Sequence, residues 1–203
     1  MPSPFTIDDL GDRVATVWSE LRPATRGLVE RALQEAANQT PATRSFHYDP
    51  RADHELSRLL TALDERAAEK TETIDPATTS KLKAVAATLA NVLQDQTESA
   101  EVFAQLVQRA QRQKDYNRID ALADALNSRF PPSEICELAR SEDIVVRELA
   151  NEALARCPIS VLTALLNDSV DAETARYALH RQIVEYGSEE ARRIVAAIDQ
   201  EEL

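Results

Sequence analysis

Two imidazoles and two carboxylates fall within eight positions of this chain, at His47, Asp49, Asp53 and His54. Nitrogen and oxygen donors in that combination suit a divalent transition metal. Each residue also has a simpler explanation. Asp49 stands before Pro50, which is the pattern of a helix N-cap followed by proline at the first helical position. Asp53 then lies in the first turn, where a carboxylate is favourable. His54 lacks the second helical histidine that completes a metalloprotease pair. The expectation is a solvated loop leading into a helix, with His47, Asp49, Asp53 and His54 as the only metal candidates and no metal assigned.

Other chemistry is sparse. Phe46 and Tyr48 flank His47, and aromatics in a loop can anchor a partner; the competing reading tucks them onto adjacent helices. His180 sits between Leu179 and Arg181 with no other His or Cys near it in sequence. There is no glycine-rich phosphate loop and no nucleophile elbow. Cys136 and Cys157 lie 21 apart in helical context and read as small core residues, not as a metal motif or disulfide framework. No catalytic or cofactor-binding residue is assigned, and the chain is expected not to be an enzyme.

The elements that position these residues are helices. The chain has 203 residues, three glycines, few aromatics and abundant Ala, Leu, Glu and Arg. A first helix capped by Thr6 carries the stripe Ile7, Leu10, Val14, Val17, Trp18 and Leu21. A second carries Leu28, Val29, Ala32, Leu33 and Ala36, and the two are expected to pair as a hairpin. The third starts at Asp49-Pro50 and buries Leu56, Leu59, Leu60 and Leu63. The fourth starts at Asp75-Pro76 and runs through Leu82, Val85, Leu89, Val92 and Leu93. The fifth carries Val102, Phe103, Leu106, Val107 and Ala110, and the sixth spans Tyr116 to Phe130. Short helices follow from near Ser133, Ser141, Pro158 and Asp171. Gly187 ends one helix, and Ser188 caps a last one that buries Ile194, Val195 and Ile198. The count is about eleven helices and no strand.

The C-terminal half repeats itself. Shifting 122–131 by 27 positions superposes Leu122, Ala123, Arg129 and Pro131 on Leu149, Ala150, Arg156 and Pro158. A shift of 26 takes Ile135 and Ile144 to Val161 and Val170, and a shift of 25 takes Ala150, Ala153 and Leu154 to Ala175, Ala178 and Leu179. Such periods belong to helical hairpins that bury their apolar faces by stacking. The segment 138–154, with an acidic turn followed by Val146, Arg147, Ala150, Ala153 and Leu154, resembles a HEAT repeat. The copy from Leu165 to Leu179 keeps the acidic turn and the Ala-Leu pair but has Ala172 where the arginine belongs. The resemblance covers roughly the last 85 residues. It implies an α-solenoid that binds proteins, with Arg147 bracing neighbouring repeats through Asp143.

Charge narrows the partners. The net charge is −12. Residues 114–203 hold 18 acidic and 10 basic side chains, net −8. A surface that tracks phosphates needs clustered Lys and Arg, so nucleic acid is not expected as a partner. The N-terminus has no signal-peptide pattern, no apolar run is long enough to span a membrane, and a reducing cytoplasm is the expected compartment.

The sequence therefore leads to an all-α helical-hairpin array, HEAT-like in its C-terminal half. Residues 1–70 are taken as an N-terminal helical region and 71–203 as the repeat region, unless the two form one continuous domain. The expected function is a non-catalytic scaffold or adaptor that binds a protein with a basic surface. Arg147, Glu148, Asn151, Glu152 and Arg176, with Phe46 and Tyr48, are its candidate contacts. The alternatives are a nucleic-acid-binding protein resembling the HEAT-like alkylpurine DNA glycosylases, and a small-molecule or metal sensor around His47 to His54.

Overall fold

A computed structural model describes residues 7–38, 48–69 and 75–201. Among these residues there are eleven α-helices, one 3-10 turn and no strand, so the protein is all-α. The chain divides into two compact units, residues 1–97 and 98–203.

The first unit contains the 3-10 turn Ile7–Leu10 and helices α1 (Asp12–Glu20), α2 (Pro23–Asn38), α3 (Ala52–Ala68) and α4 (Pro76–Gln96). The sequence reading ran one helix from Thr6 onwards; Thr6 itself lies outside the described residues. The run is broken at Gly11, whose φ of +121° a side chain would strain. A Cβ there would also lie 2.8 Å from Nε of Arg66. The apolar stripe continues through the break, because Ile7, Leu10, Val14, Trp18 and Leu21 are all buried. Trp18 is a core residue. α1 packs chiefly on α3, and α2 on α4, whereas the sequence reading paired α1 with α2.

α3 and α4 are the centre of this unit. Leu56, Leu59, Leu60 and Leu63 of α3 are fully buried, as are Leu82, Leu89 and Leu93 of α4. Burying each such side chain is worth about 1.5–3 kcal/mol. Asp75 caps α4, accepting from Ala77 N at 2.9 Å and Thr78 N at 3.0 Å with Pro76 behind it. α4 packs on α3 and α2 and lies in the first unit.

The second unit contains α5 (Ala100–Gln113), α6 (Tyr116–Arg129), α7 (Pro132–Ala139), α8 (Ile144–Ala155), α9 (Ile159–Leu165), α10 (Ala172–Tyr186) and α11 (Glu189–Glu201). Consecutive helices pack in pairs: α5 with α6, α7 with α8, and α9 with α10. Each first helix also touches the next first helix, α5 to α7 and α7 to α9, and α9 touches α11. Each second helix likewise touches the next, α6 to α8 and α8 to α10. Small side chains allow these approaches: Ala150, Ala153, Ala175 and Ala178 are buried at the helix contacts. Phe103 meets Phe130 edge-on, with ring centroids 5.2 Å apart. α10 ends at Gly187 in the left-handed conformation, and Ser188 Oγ accepts from Ala191 N at the start of α11. Val195 of α11 is buried, while Ile194 and Ile198 are only partly covered.

Candidate functional site

The residues that looked most chemical are occupied by the fold. Asp49 Oδ1 accepts from Arg51 N at 3.0 Å, which shapes the turn leading into α3. Its Oδ2 lies 2.9 Å from Arg22 Nη1. The backbone N–H of Arg51, seconded by the guanidinium of Arg22, holds the Asp49 carboxyl below its ordinary range. Glu55 takes the Nε of the same arginine at 2.9 Å and the hydroxyl of Thr25, so it ties the start of α2 to α3. Burial pushes the Glu55 carboxyl up, but the bonds from Thr25 and Arg22 outweigh it and leave it lowered. Asp53 is only 3% exposed. It accepts from the Tyr48 hydroxyl, and from Thr97 Oγ1 at 2.7 Å. Thr97 is the buried C-cap of α4. Asp53 thus fastens the N-terminal turn of α3 to the C-terminal end of α4.

His54, one residue on, is exposed. Helical geometry turns adjacent side chains about 100° apart, so Asp53 enters the core while His54 does not. Among the described residues no group of three or more His, Cys, Asp or Glu converges on one point. His47 and Phe46 lie outside the described residues. Tyr48, ahead of α3, is half-buried, and its hydroxyl is bound to Asp53 of that helix. His180 is exposed on α10.

The candidate partner contacts in the second unit are also largely engaged. Arg147 Nη1 donates to the carbonyl of Ser141 at 2.9 Å, not to Asp143. The expected brace between Arg147 and Asp143 is therefore absent. Asp143 is taken up as the N-cap of α8, accepting from Val145 N at 2.9 Å and Val146 N at 3.1 Å. Burial pushes its carboxyl up, but those bonds, with one from Gln111, leave it lowered. Glu152 lies 2.7 Å from Arg156 and 3.2 Å from Arg181. Arg176 pairs with Asp199 of α11. Asn151 is buried, and its amide reaches Glu148 at 3.4 Å. Of the five candidates only Glu148 is exposed without an ion-pair partner among the described residues.

A regularity in the second unit escaped the sequence reading. Asp115, Asp143 and Asp171 immediately precede α6, α8 and α10 and are 28 residues apart. At the same spacing Leu122, Ala150 and Ala178 are buried, as are Leu126, Leu154 and Gln182. Two of these aspartates are gripped by the preceding hairpin. Gln111 of α5 donates to Asp143 at 3.2 Å, and Arg140, just past α7, lies 2.7 Å from Asp171. Gln182 adds a further tie, donating to the carbonyls of Ala155 at 3.1 Å and Cys157 at 2.8 Å. It satisfies carbonyls at the C-terminal end of α8 that have no partner within their own helix. The shifts of 25 to 27 follow other residues of the same helices; the three aspartates alone return the single value.

No helix among the described residues is long and apolar enough to cross a membrane. No family model, curated protein or solved structure matches this chain.

Proposed function

We propose that this chain is a non-catalytic protein-interaction scaffold whose second unit is a HEAT-like array of helical hairpins. The observation that carries the reading is the repeated construction of that unit. Three hairpins pack first helix to first helix and second helix to second helix, with the aspartates ahead of their second helices 28 residues apart. Stacking of this kind leaves one broad, regular face per layer, and such faces suit shape-matched binding of another polypeptide. The polar clusters around Asp49, Asp53 and Glu55 serve folding, so they lend no support to a metal-sensing reading.

The nucleic-acid reading has less in its favour. A phosphate-tracking face needs free cations. Arg147, Arg156, Arg176 and Arg181, on or at the ends of α8 and α10, are each engaged by a carboxylate or a backbone carbonyl of the same unit.

The reading is tested by passing source-cell lysate, treated with nuclease, over the immobilised full chain. A defined protein retained in stoichiometric amount supports it. Recovery that disappears with nuclease, or no specific recovery, overturns it.

A further inference from the structure

We infer that the outward face of α6, α8 and α10 is a docking surface for a basic, amphipathic polypeptide segment. The inference rests on the scaffold reading and gives it a location and a partner chemistry.

Large apolar side chains stand exposed at intervals along these three helices: Tyr116 at 69%, Ile144 at 67% and Tyr177 at 52%. Each has a carboxylate four positions away on its own helix, giving the pairs Tyr116 with Asp120, Ile144 with Glu148, and Glu173 with Tyr177. Residues four apart lie on one side of a helix. The opposite sides are the buried ones, through Leu122 and Leu126, Val146 and Ala150, and Ala175 and Ala178. So each of the three second helices presents one apolar contact and one negative charge to solvent.

The charges on this face do not cancel. Asp120, Glu148 and Glu173 are exposed, and none enters an ion pair among the described residues. The arginines of the same helices are spent internally: Arg118 on Asp115, Arg129 over the Phe130 ring, Arg147 on the Ser141 carbonyl, Arg176 on Asp199 and Arg181 on Glu152 and Glu185. What remains on each helix is an exposed apolar side chain beside a carboxylate outside any ion pair; Tyr116 with Asp120 and Ile144 with Glu148 share one position of the 28-residue spacing, and Glu173 with Tyr177 lies one residue further round. The complementary ligand carries Lys or Arg interleaved with aliphatic residues, as on an amphipathic helix. An acidic or uncharged segment would bury the apolar contacts at the cost of repulsion or of unpaired carboxylates.

The test is the affinity of the full chain for a labelled Lys/Leu helical peptide, read by fluorescence anisotropy, with a Glu/Leu peptide and duplex DNA as comparators. The Lys/Leu peptide is expected to bind, with affinity falling as salt rises. Reversal of the face by D120K, E148K and E173K together is expected to weaken binding about tenfold or more. Removal of the three apolar contacts by Y116S, I144S and Y177S together is expected to do the same, with the helical circular dichroism of both variants unchanged. Reversal of two exposed carboxylates on other helices, E30K with E137K, should leave affinity as it was. Equal affinity in wild type and face-reversed protein overturns the inference. So does equal weakening by the control pair, no effect of the serine set, or preference for the Glu/Leu peptide or DNA. If lysate capture succeeds equally with the face-reversed protein, the scaffold reading stands and this face is wrong. If capture fails while the face-dependent peptide affinity holds, the scaffold reading falls and the face stands.

Discussion

The guanidinium of Arg140 lies 2.7 Å from the carboxylate of Asp171, 31 positions along the chain and one hairpin further on. Gln111 stands in the same relation to Asp143, at 3.2 Å and 32 positions. In each case a side chain at the end of a first helix holds the aspartate that opens the second helix of the next hairpin. The hairpins are therefore joined by polar clasps as well as by apolar packing. Asp171 is almost fully covered and Arg140 is part exposed, so the pair is screened on one side only. A double-mutant cycle with R140M and D171N, read by urea denaturation, should return a coupling of about 0.5–1 kcal/mol. Additive effects would remove the clasp from the account.

Asp143 has three roles: cap of α8, acceptor for Gln111, and a carboxylate held below its ordinary value of 3.8. D143A should cost about 0.5–2 kcal/mol, the usual range for a lost cap. D143N tests the charge alone. A carboxyl whose pKa is lower folded than unfolded stabilises fully above the unfolded value, and that stability is lost as pH falls through the folded one. Asp49, Glu55, Asp75 and Asp143 are all lowered. Stability should hold from neutrality to about pH 5 and then fall as acid protonates these groups. The fall should be shallower in D143N, measured by thermal melts at stepped pH.

Asp53 offers a separate check on the reading of the metal candidates. Its bonds to Tyr48 and Thr97 are structural, so D53A should destabilise the chain by about 1–3 kcal/mol through the loss of two hydrogen bonds at a buried carboxylate. H54A, at an exposed site, should leave the melting temperature unchanged. Added zinc should shift neither protein. A zinc-dependent rise in wild type that H54A abolishes would restore the metal reading.

Much of the fold was legible because apolar periodicity and the Asp75-Pro76 start are local signals, whereas Asp49-Pro50 forms the turn ahead of α3, which begins at Ala52. The leucines of α3 and the cap at Asp75 show this plainly. What could not be read is non-local. Nothing near Asp53 in sequence announces Thr97, 44 positions away. Likewise the HEAT resemblance assigned Arg147 to Asp143, yet the Ser141 carbonyl takes it. Among the candidate contacts, Glu148 keeps its exposed carboxylate, while Glu152 is bound by Arg181 and Arg176 by Asp199, ion pairs that only packing creates. The exposed Tyr116 and Tyr177 were passed over because a sequence does not mark which aromatic faces water.

Cys136 is fully buried, and burial, seconded by the nearby Asp171 carboxylate, pushes its thiol up to about 12. Burial also raises the thiol of Cys157. A thiol in that state is a poor nucleophile. In native protein at pH 8, Ellman's reagent should leave Cys136 unmodified over times that label it completely in urea, as followed by mass spectrometry of C157S. Rapid labelling would show that α7 opens readily.

The central claim is that the repeat face of the second unit holds another protein. The most direct measurement places a photo-crosslinking amino acid at position 148 of the full chain, and in a second protein at position 137, each expressed in the source cells. The account predicts a discrete protein adduct at 148 that survives nuclease and is missing at 137. No adduct at 148, or the same adducts at both positions, would contradict it.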